Sequence, residues 1–130
     1  GAAGAHLGQD DLSPIEARYL IGEKLLIGRS THSLEQARFA VESEQSDYIA
    51  IGAMYETNTK PAAVPAGVAL AEQVSALQLP IPVFAIGGIT VERVAELKTA
   101  GVQHIAVSSA IIADSDPYTA SRRFVEAMLK

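Results

Sequence analysis

The sequence predicts an α/β fold built on a parallel sheet. Short apolar runs alternate with helix signals, giving five strands that each lead into a helix, at intervals of roughly 20 to 35 residues. The polar and glycine-rich segments fall after the strands, at their carboxyl ends. Segments that lead into strands, such as Gly22-Glu23 and Leu79-Pro80, hold only stop and turn residues. Regular βα alternation implies right-handed crossovers and strands that share one direction. A chain of 130 residues suffices for a single domain over 1–130 with one core.

Each element has its own signal. Ala5-His6-Leu7 reads as the end of a strand, and Gly8-Gln9-Asp10-Asp11 as the loop after it. Ser13-Pro14-Ile15-Glu16 is a capping box with proline at the first helical position, so a helix runs from Pro14 to about Ile21 and stops at Gly22. A strand over Lys24–Gly28 ends in Arg29-Ser30-Thr31-His32. Ser33-Leu34-Glu35-Gln36 forms a second capping box, whose helix puts Leu34, Ala37, Ala40 and Val41 on one face. Tyr48–Ile51 is apolar throughout, the pattern of a strand covered on both faces.

A long irregular segment, Met54–Gly67, separates that strand from a helix over Val68–Leu77, and segments of this length are usually functional or mobile. Val83–Ile86 is the fourth strand. Gly87-Gly88-Ile89 leaves it, Thr90 caps a helix over Val91–Ala100, and Gly101 sits at the C′ position. His104–Val107 is the last strand and leads into Ser108-Ser109-Ala110. Asp116-Pro117 then caps a final helix that runs to about Leu129.

Composition narrows the function. The net charge of −5 and the lack of a basic stripe argue against nucleic-acid binding. Any phosphate site must be local and rest on backbone N–H groups with a few side chains. Without cysteine there is neither a disulfide framework nor thiolate chemistry. No apolar stretch is long enough to span a bilayer, and no leader pattern is visible, so a cytoplasmic location is expected.

The candidate chemistry lies in the loops. Thr57, Asn58, Thr59 and Lys60 offer hydroxyls, an amide and an ammonium on one segment, which suits a phosphorylated ligand and equally a solvated connection. Gly87-Gly88 lets backbone amides approach a ligand closely, and Ser108-Ser109 adds small side chains before a helical turn. The bland alternative is that these glycines only turn the chain. His6 and His104 fall inside strands and read as wall or core residues; Glu56 and Asp10 read as solvated.

The segments HLGQDDLS, IGRSTHS, SDYIAIGAMYETNTKP, VFAIGGIT and IAVSSAI, in that order, resemble the thiamine phosphate synthase family. The resemblance implies part of a TIM (βα)₈ barrel, comprising about five βα units of its C-terminal part. It also implies a transferase of thiamine biosynthesis, which joins hydroxymethylpyrimidine diphosphate to thiazole phosphate, releases pyrophosphate and uses Mg²⁺. Carried over by motif, Asp11 matches the Mg²⁺ carboxylate and Ser30 the serine that meets the pyrimidine diphosphate. Lys60 matches the lysine facing the diphosphate, while Thr57, Asn58 and Thr59 match the loop that holds thiazole phosphate. Gly88, Ser108 and Ser109 match the cradle of that phosphate.

The family pattern also holds three N-terminal βα units, with a Gln/Arg/Lys cluster and an Asn-Asp pair, and these are not among the present residues. Two other readings stay open. Thiazole tautomerases share the fold and a GRS-x-HS segment, matched by Gly28 to Ser33, and His32 would then do acid–base work. A histidine beside the Ser33 cap is equally explained as structural. The third reading is a non-catalytic phosphate-binding barrel fragment. Five strands cannot close a barrel, which leads to the expectation of a homo-oligomer that pairs the uncovered strand faces or edges.

Overall fold

The structure is a computed structural model and describes residues 1–57 and 64–130. Its strands are β1 (Gly4–Leu7), β2 (Leu26–Thr31), β3 (Tyr48–Gly52), β4 (Val83–Ile86) and β5 (His104–Ala106). They form one sheet in sequential order, every pairing parallel. The helices are α1 (Pro14–Ile21), α2 (Leu34–Glu42), α3 (Gly67–Ala76), α4 (Val94–Thr99), α5 (Ser109–Ile112) and α6 (Pro117–Leu129). The βα alternation read from the sequence is therefore the architecture observed.

Several local signals act as expected. Ser13 and Glu16 exchange both bonds of a capping box at the start of α1, and Gly22 ends that helix at φ 75°. Gly101 ends α4 at φ +87°. Its N–H donates to the Lys98 carbonyl at 2.9 Å and that of Val102 to Leu97 at 3.0 Å, the paired bonds of a Schellman motif. Asp116 accepts from the Thr119 N–H and caps α6.

Other signals act differently. Strand β2 begins and ends later than expected, so Arg29, Ser30 and Thr31 lie within it. Polarity marked them as loop, but alternation gives each a partner. Thr31 donates to the Ala50 carbonyl at 3.1 Å, and buried Arg29 approaches Glu44 at 3.3 Å. The Ser33 box closes only halfway. Ser33 accepts from the Gln36 N–H, but the Gln36 side chain accepts from the N–H of His32, one residue earlier than a box requires. Thr90 makes no side-chain cap bond, and the turn after it, Val91–Arg93, is a 3₁₀ helix that precedes α4.

Alternation along the strands gives the sheet two unlike faces. Ile27, Ile49, Ile51 and Ala85 are buried beneath the helices, and the last three pack with Ala37, Ala40, Ala71, Val74 and Leu97. The alanines let the helix axes come close. The other face carries a row of rings: His6 and Tyr48 with centroids 5.4 Å apart, Tyr48 and Phe84 at 5.6 Å edge to face, Phe84 and His104 at 5.1 Å. Tyr48 lies across Gly28, where a Cβ would sit 2.1 Å from its ring. Leu26 and Ile86 are exposed on this face. His6 and His104 are thus wall residues, as their strand positions imply. Among the described residues no helix is long and apolar enough to cross a membrane.

Asp47 fastens the edge where the strands begin. Its Oδ2 accepts from Arg18 of α1 and from the Ile27 N–H of β2, each at 2.6 Å. Burial opposes its charge, but these hydrogen bonds and the Arg18 charge outweigh that and hold the carboxyl below its ordinary range. A depressed carboxyl contributes stability above the unfolded value of about 3.9 and loses it as the pH falls through the folded value. Asp47→Asn is expected to lower the unfolding free energy by about 1–2 kcal/mol at neutral pH, allowing for its partial exposure. In urea titrations from pH 7 to pH 3 the gap to the unsubstituted chain should narrow below about pH 4. A gap that does not vary with pH would show that the charge of Asp47 is not what stabilises this edge.

Candidate active site

A cavity of about 240 Å³ opens at the carboxyl ends of the strands. Its lining includes Ser30 and His32 from the end of β2, Thr57 beyond β3, Gly87 and Gly88 beyond β4, and Ser108 and Ser109 beyond β5. Parallel strands deliver their loops to one rim, so residues far apart in the chain meet there. Of the expected site residues, the cavity brings together Ser30, Thr57, Gly88, Ser108 and Ser109. Asp11 is not in its lining. Asn58, Thr59 and Lys60 lie outside the described residues.

Backbone geometry explains the glycines. The carbonyls of Ile86 and Gly87 accept from the N–H groups of Met54 and Tyr55 at 2.9 and 3.1 Å, so the chain leaving β3 is sewn to the chain leaving β4. Gly88 adopts φ +64°, and a Cβ there would lie 2.4 Å from the Glu56 carbonyl oxygen. Position 88 thus needs glycine for its conformation and for the close passage of a second backbone. Ser108 is the N-cap position before the short α5; its carbonyl accepts from the N–H groups of Ile111 and Ile112, and its side chain makes no cap bond.

Ser30 is held from two sides. Its Oγ lies 2.9 Å from His6 Nε2, while His6 Nδ1 lies 3.1 Å from the Tyr48 hydroxyl. Gln9 donates to the Ser30 carbonyl at 2.5 Å. Sequence reasoning placed His6 in a wall and missed this contact. The available signal was alternation, which puts His6, Gly28 and Tyr48 in one row of the sheet. His32 is also held firmly. Its Nδ1 contacts the Gly52 carbonyl, which can only accept, so Nδ1 carries the proton and Nε2 is the basic nitrogen of the neutral ring.

Asp11 closes its own loop. Its Oδ2 accepts from the Gly8 N–H at 2.7 Å, and its N–H donates to the Gly8 carbonyl at 3.2 Å. Arg29 donates to the same carbonyl at 2.6 Å, anchoring the loop to β2. The second carboxylate oxygen of Asp11 makes no hydrogen bond among the described residues, and the residue is exposed. Among those residues no group of at least three His, Cys, Asp or Glu could hold a metal ion. Asp11 can offer one exposed carboxylate oxygen, a donor type that hard cations such as Mg²⁺ take.

The sequence model of thiamine monophosphate synthase matches residues 1–111. The chain belongs to that family. A thiamine-phosphate synthase of Synechococcus sp. (strain CC9311) is 43% identical over 129 residues, which make up 98% of this chain and 35% of that protein. One from Mycobacterium sp. (strain JLS) is 44% identical over 131 residues, 98% of this chain and 58% of the relative. Among solved structures, a thiamine phosphate pyrophosphorylase from Pyrococcus furiosus superposes with a TM-score of 0.87 at 30% identity, covering 98% of this chain and 60% of that one. A 3-hexulose-6-phosphate synthase, at TM-score 0.66 and 16% identity, shares the fold alone. The sheet is thus the five-stranded arc of a TIM-type (βα)₈ barrel, and the chain spans between about a third and three fifths of these relatives.

The two demands on Gly88 can be separated. Gly22 also has a positive φ, but a Cβ there would meet nothing within 4 Å. Gly22→Ala is expected to cost about 1–3 kcal/mol, the conformational term alone, because φ 75° with ψ −177° is a region nearly confined to glycine. Gly88→Ala should add about 1–3 kcal/mol to its own conformational term, because the Glu56 backbone must also move. Urea unfolding of both variants measures this; a loss at Gly88 smaller than that at Gly22 would count against the close passage at Glu56.

Proposed function

We propose that the cavity is part of a thiamine phosphate synthase active site, and that the protein acts in thiamine biosynthesis as a transferase. The carrying observation is that Ser30, Thr57, Gly88, Ser108 and Ser109 line one cavity at the strand ends of a chain in this family. In this reading thiazole phosphate sits against Gly88, Ser108 and Ser109, with Thr57, Asn58 and Thr59 beside it. Hydroxymethylpyrimidine diphosphate meets Ser30, which His6 orients. Asp11 would hold Mg²⁺ together with diphosphate oxygens, and the ion when bound offsets negative charge on those oxygens. Lys60 supplies a compact positive charge to the same group.

The bond from the pyrimidine methylene carbon to the diphosphate oxygen breaks, and the oxygen keeps the electron pair. The thiazole nitrogen then gives its lone pair to the resulting cation. Catalysis rests on electrostatic stabilisation and positioning, with no covalent enzyme intermediate. Asp11→Ala and Lys60→Ala should each lower the rate of pyrophosphate release on the order of 10²-fold. The assay uses the chain joined to the N-terminal βα units of the Pyrococcus relative; the 130 residues alone should release little or none. Full release by the 130 residues alone would show that they already hold a complete diphosphate site.

A second reading rests on His32. Its proton is fixed on Nδ1, so a basic Nε2 belongs to a residue that lines the cavity, which suits a thiazole tautomerase. Such an enzyme turns over thiazole without releasing pyrophosphate. We further propose that the ring-bearing sheet face meets a second copy of the chain, since Leu26 and Ile86 are exposed on it and β1 and β5 are its edge strands among the described residues. Light scattering at micromolar concentration should give a dimer mass or larger; a stable monomer would exclude this assembly.

A further inference from the structure

We infer that Tyr55, Arg93 and Glu96 form a clamp that couples the loop leaving β3 to the loop leaving β4 and so positions the backbone at Gly88. The phosphate-facing part of this inference rests on the reading of Gly88 given above; the coupling itself does not.

Arg93 belongs to the 3₁₀ turn before α4, and Glu96 lies three residues on, so the two side chains share a face. Both close on Tyr55. The Arg93 guanidinium sits 4.2 Å from the centre of the Tyr55 ring, and the Tyr55 hydroxyl donates to Glu96 Oε2 at 2.7 Å. Burial, with help from Glu96, pushes the phenol up to about 12, so it remains a donor at neutral pH. With the ring held, the same guanidinium donates to the Gly88 carbonyl at 2.7 Å.

That last bond extends a series. The Ile86 carbonyl accepts from Met54 N–H and the Gly87 carbonyl from Tyr55 N–H. Gly88 continues the row, and its acceptor is met by a side chain instead of by backbone. A peptide group is planar, with its N–H directed opposite its C=O. Pinning the Gly87 and Gly88 carbonyls therefore fixes the directions of the Gly88 and Ile89 N–H groups. Gly88 also lies directly on Tyr55, since a Cβ there would come within 2.9 Å of both the Tyr55 Cβ and its carbonyl oxygen. Tyr55 is two residues before Thr57, which lines the cavity. One side-chain cluster thus sets the exit of the Thr57 segment and the aim of the Gly88 amides. Arg93 and Tyr55 are positioning residues in this scheme.

Two readouts on the purified chain test it. The first is amide hydrogen exchange at Tyr55, whose N–H is bonded to Gly87. Arg93→Met should speed this exchange about tenfold, Tyr55→Phe about threefold, and Arg93→Lys should fall between Arg93→Met and the unsubstituted chain. Amides within β2, away from the β3 and β4 exits, should be unchanged, which also confirms that the variants fold. Unchanged exchange at Tyr55 in Arg93→Met overturns the clamp.

The second readout is titration with inorganic phosphate, followed by the NMR shift of the Gly88 amide. Arg93→Met should raise the Kd about five- to tenfold, with partial rescue by Arg93→Lys. Faster exchange with an unchanged Kd overturns the positioning role. If the unsubstituted chain shows no phosphate-dependent shift, the anion reading of Gly88 fails and the positioning role with it. Exchange at Tyr55 still decides the coupling on its own.

Discussion

Five strands running one way in sequential order fix nearly everything else about this chain. Each strand has to end at the same rim, so residues separated by most of the sequence are brought around one cavity. The constraint is tight where neighbouring chains leave the sheet together. A Cβ at Gly52 would lie 2.2 Å from the Ile86 carbonyl oxygen, and one at Gly88 would strike the backbone at Glu56. The β3 and β4 exits are effectively one double-layered loop, and glycine is the residue that lets the two backbones touch.

The two sheet faces divide the work between stability and site. Beneath the helices, isoleucines and alanines pack into the core and bear the hydrophobic stabilisation. Two buried charges among the described residues, Arg29 and Glu44, come close to each other without an aligned hydrogen bond from Arg29 Nε. A pair of this kind gives little net stability, because both charges are desolvated. Its use is in placement: Nη1 of the same guanidinium holds the Gly8 carbonyl and with it the loop of Asp11. On the other face, Gly28 leaves room for Tyr48 to lie flat, Tyr48 holds His6, and His6 holds Ser30.

The parts legible in the sequence were those governed by neighbours in the chain. Ser13 with Glu16, Asp116 with Pro117, and Gly101 fix helix ends through contacts a few residues long, and each forms as the pattern implies. The one-sided placement of polar loops pointed to the end of the sheet where the cavity lies, because it follows from strand direction alone. What was missed depends on the sheet's register. Arg29 and Thr31 look like loop residues until the alternation of β2 is set against Glu44 and Ala50. The His6 contact with Ser30 needs β1 aligned with β2, and its support by Tyr48 needs β3 aligned as well. Gln36 reaches His32 instead of Ser33, a choice between adjacent N–H groups that the capping pattern does not encode.

A net charge of −5 also limits how any anion site here can work. With acidic side chains in excess, long-range attraction cannot gather a phosphate, so affinity has to come from donors already aimed at it. Backbone amides meet that requirement only if their peptide planes cannot rotate. The carbonyls of Ile86, Gly87 and Gly88 are each engaged from behind, by Met54, Tyr55 and Arg93. Arg93 stacks on Tyr55 and donates to Gly88, so its positive charge stiffens the loop as well as adding to the local field. The rigidity of this glycine turn therefore comes from what grips its carbonyls and not from the glycines themselves, which alone would leave the amides free to point elsewhere.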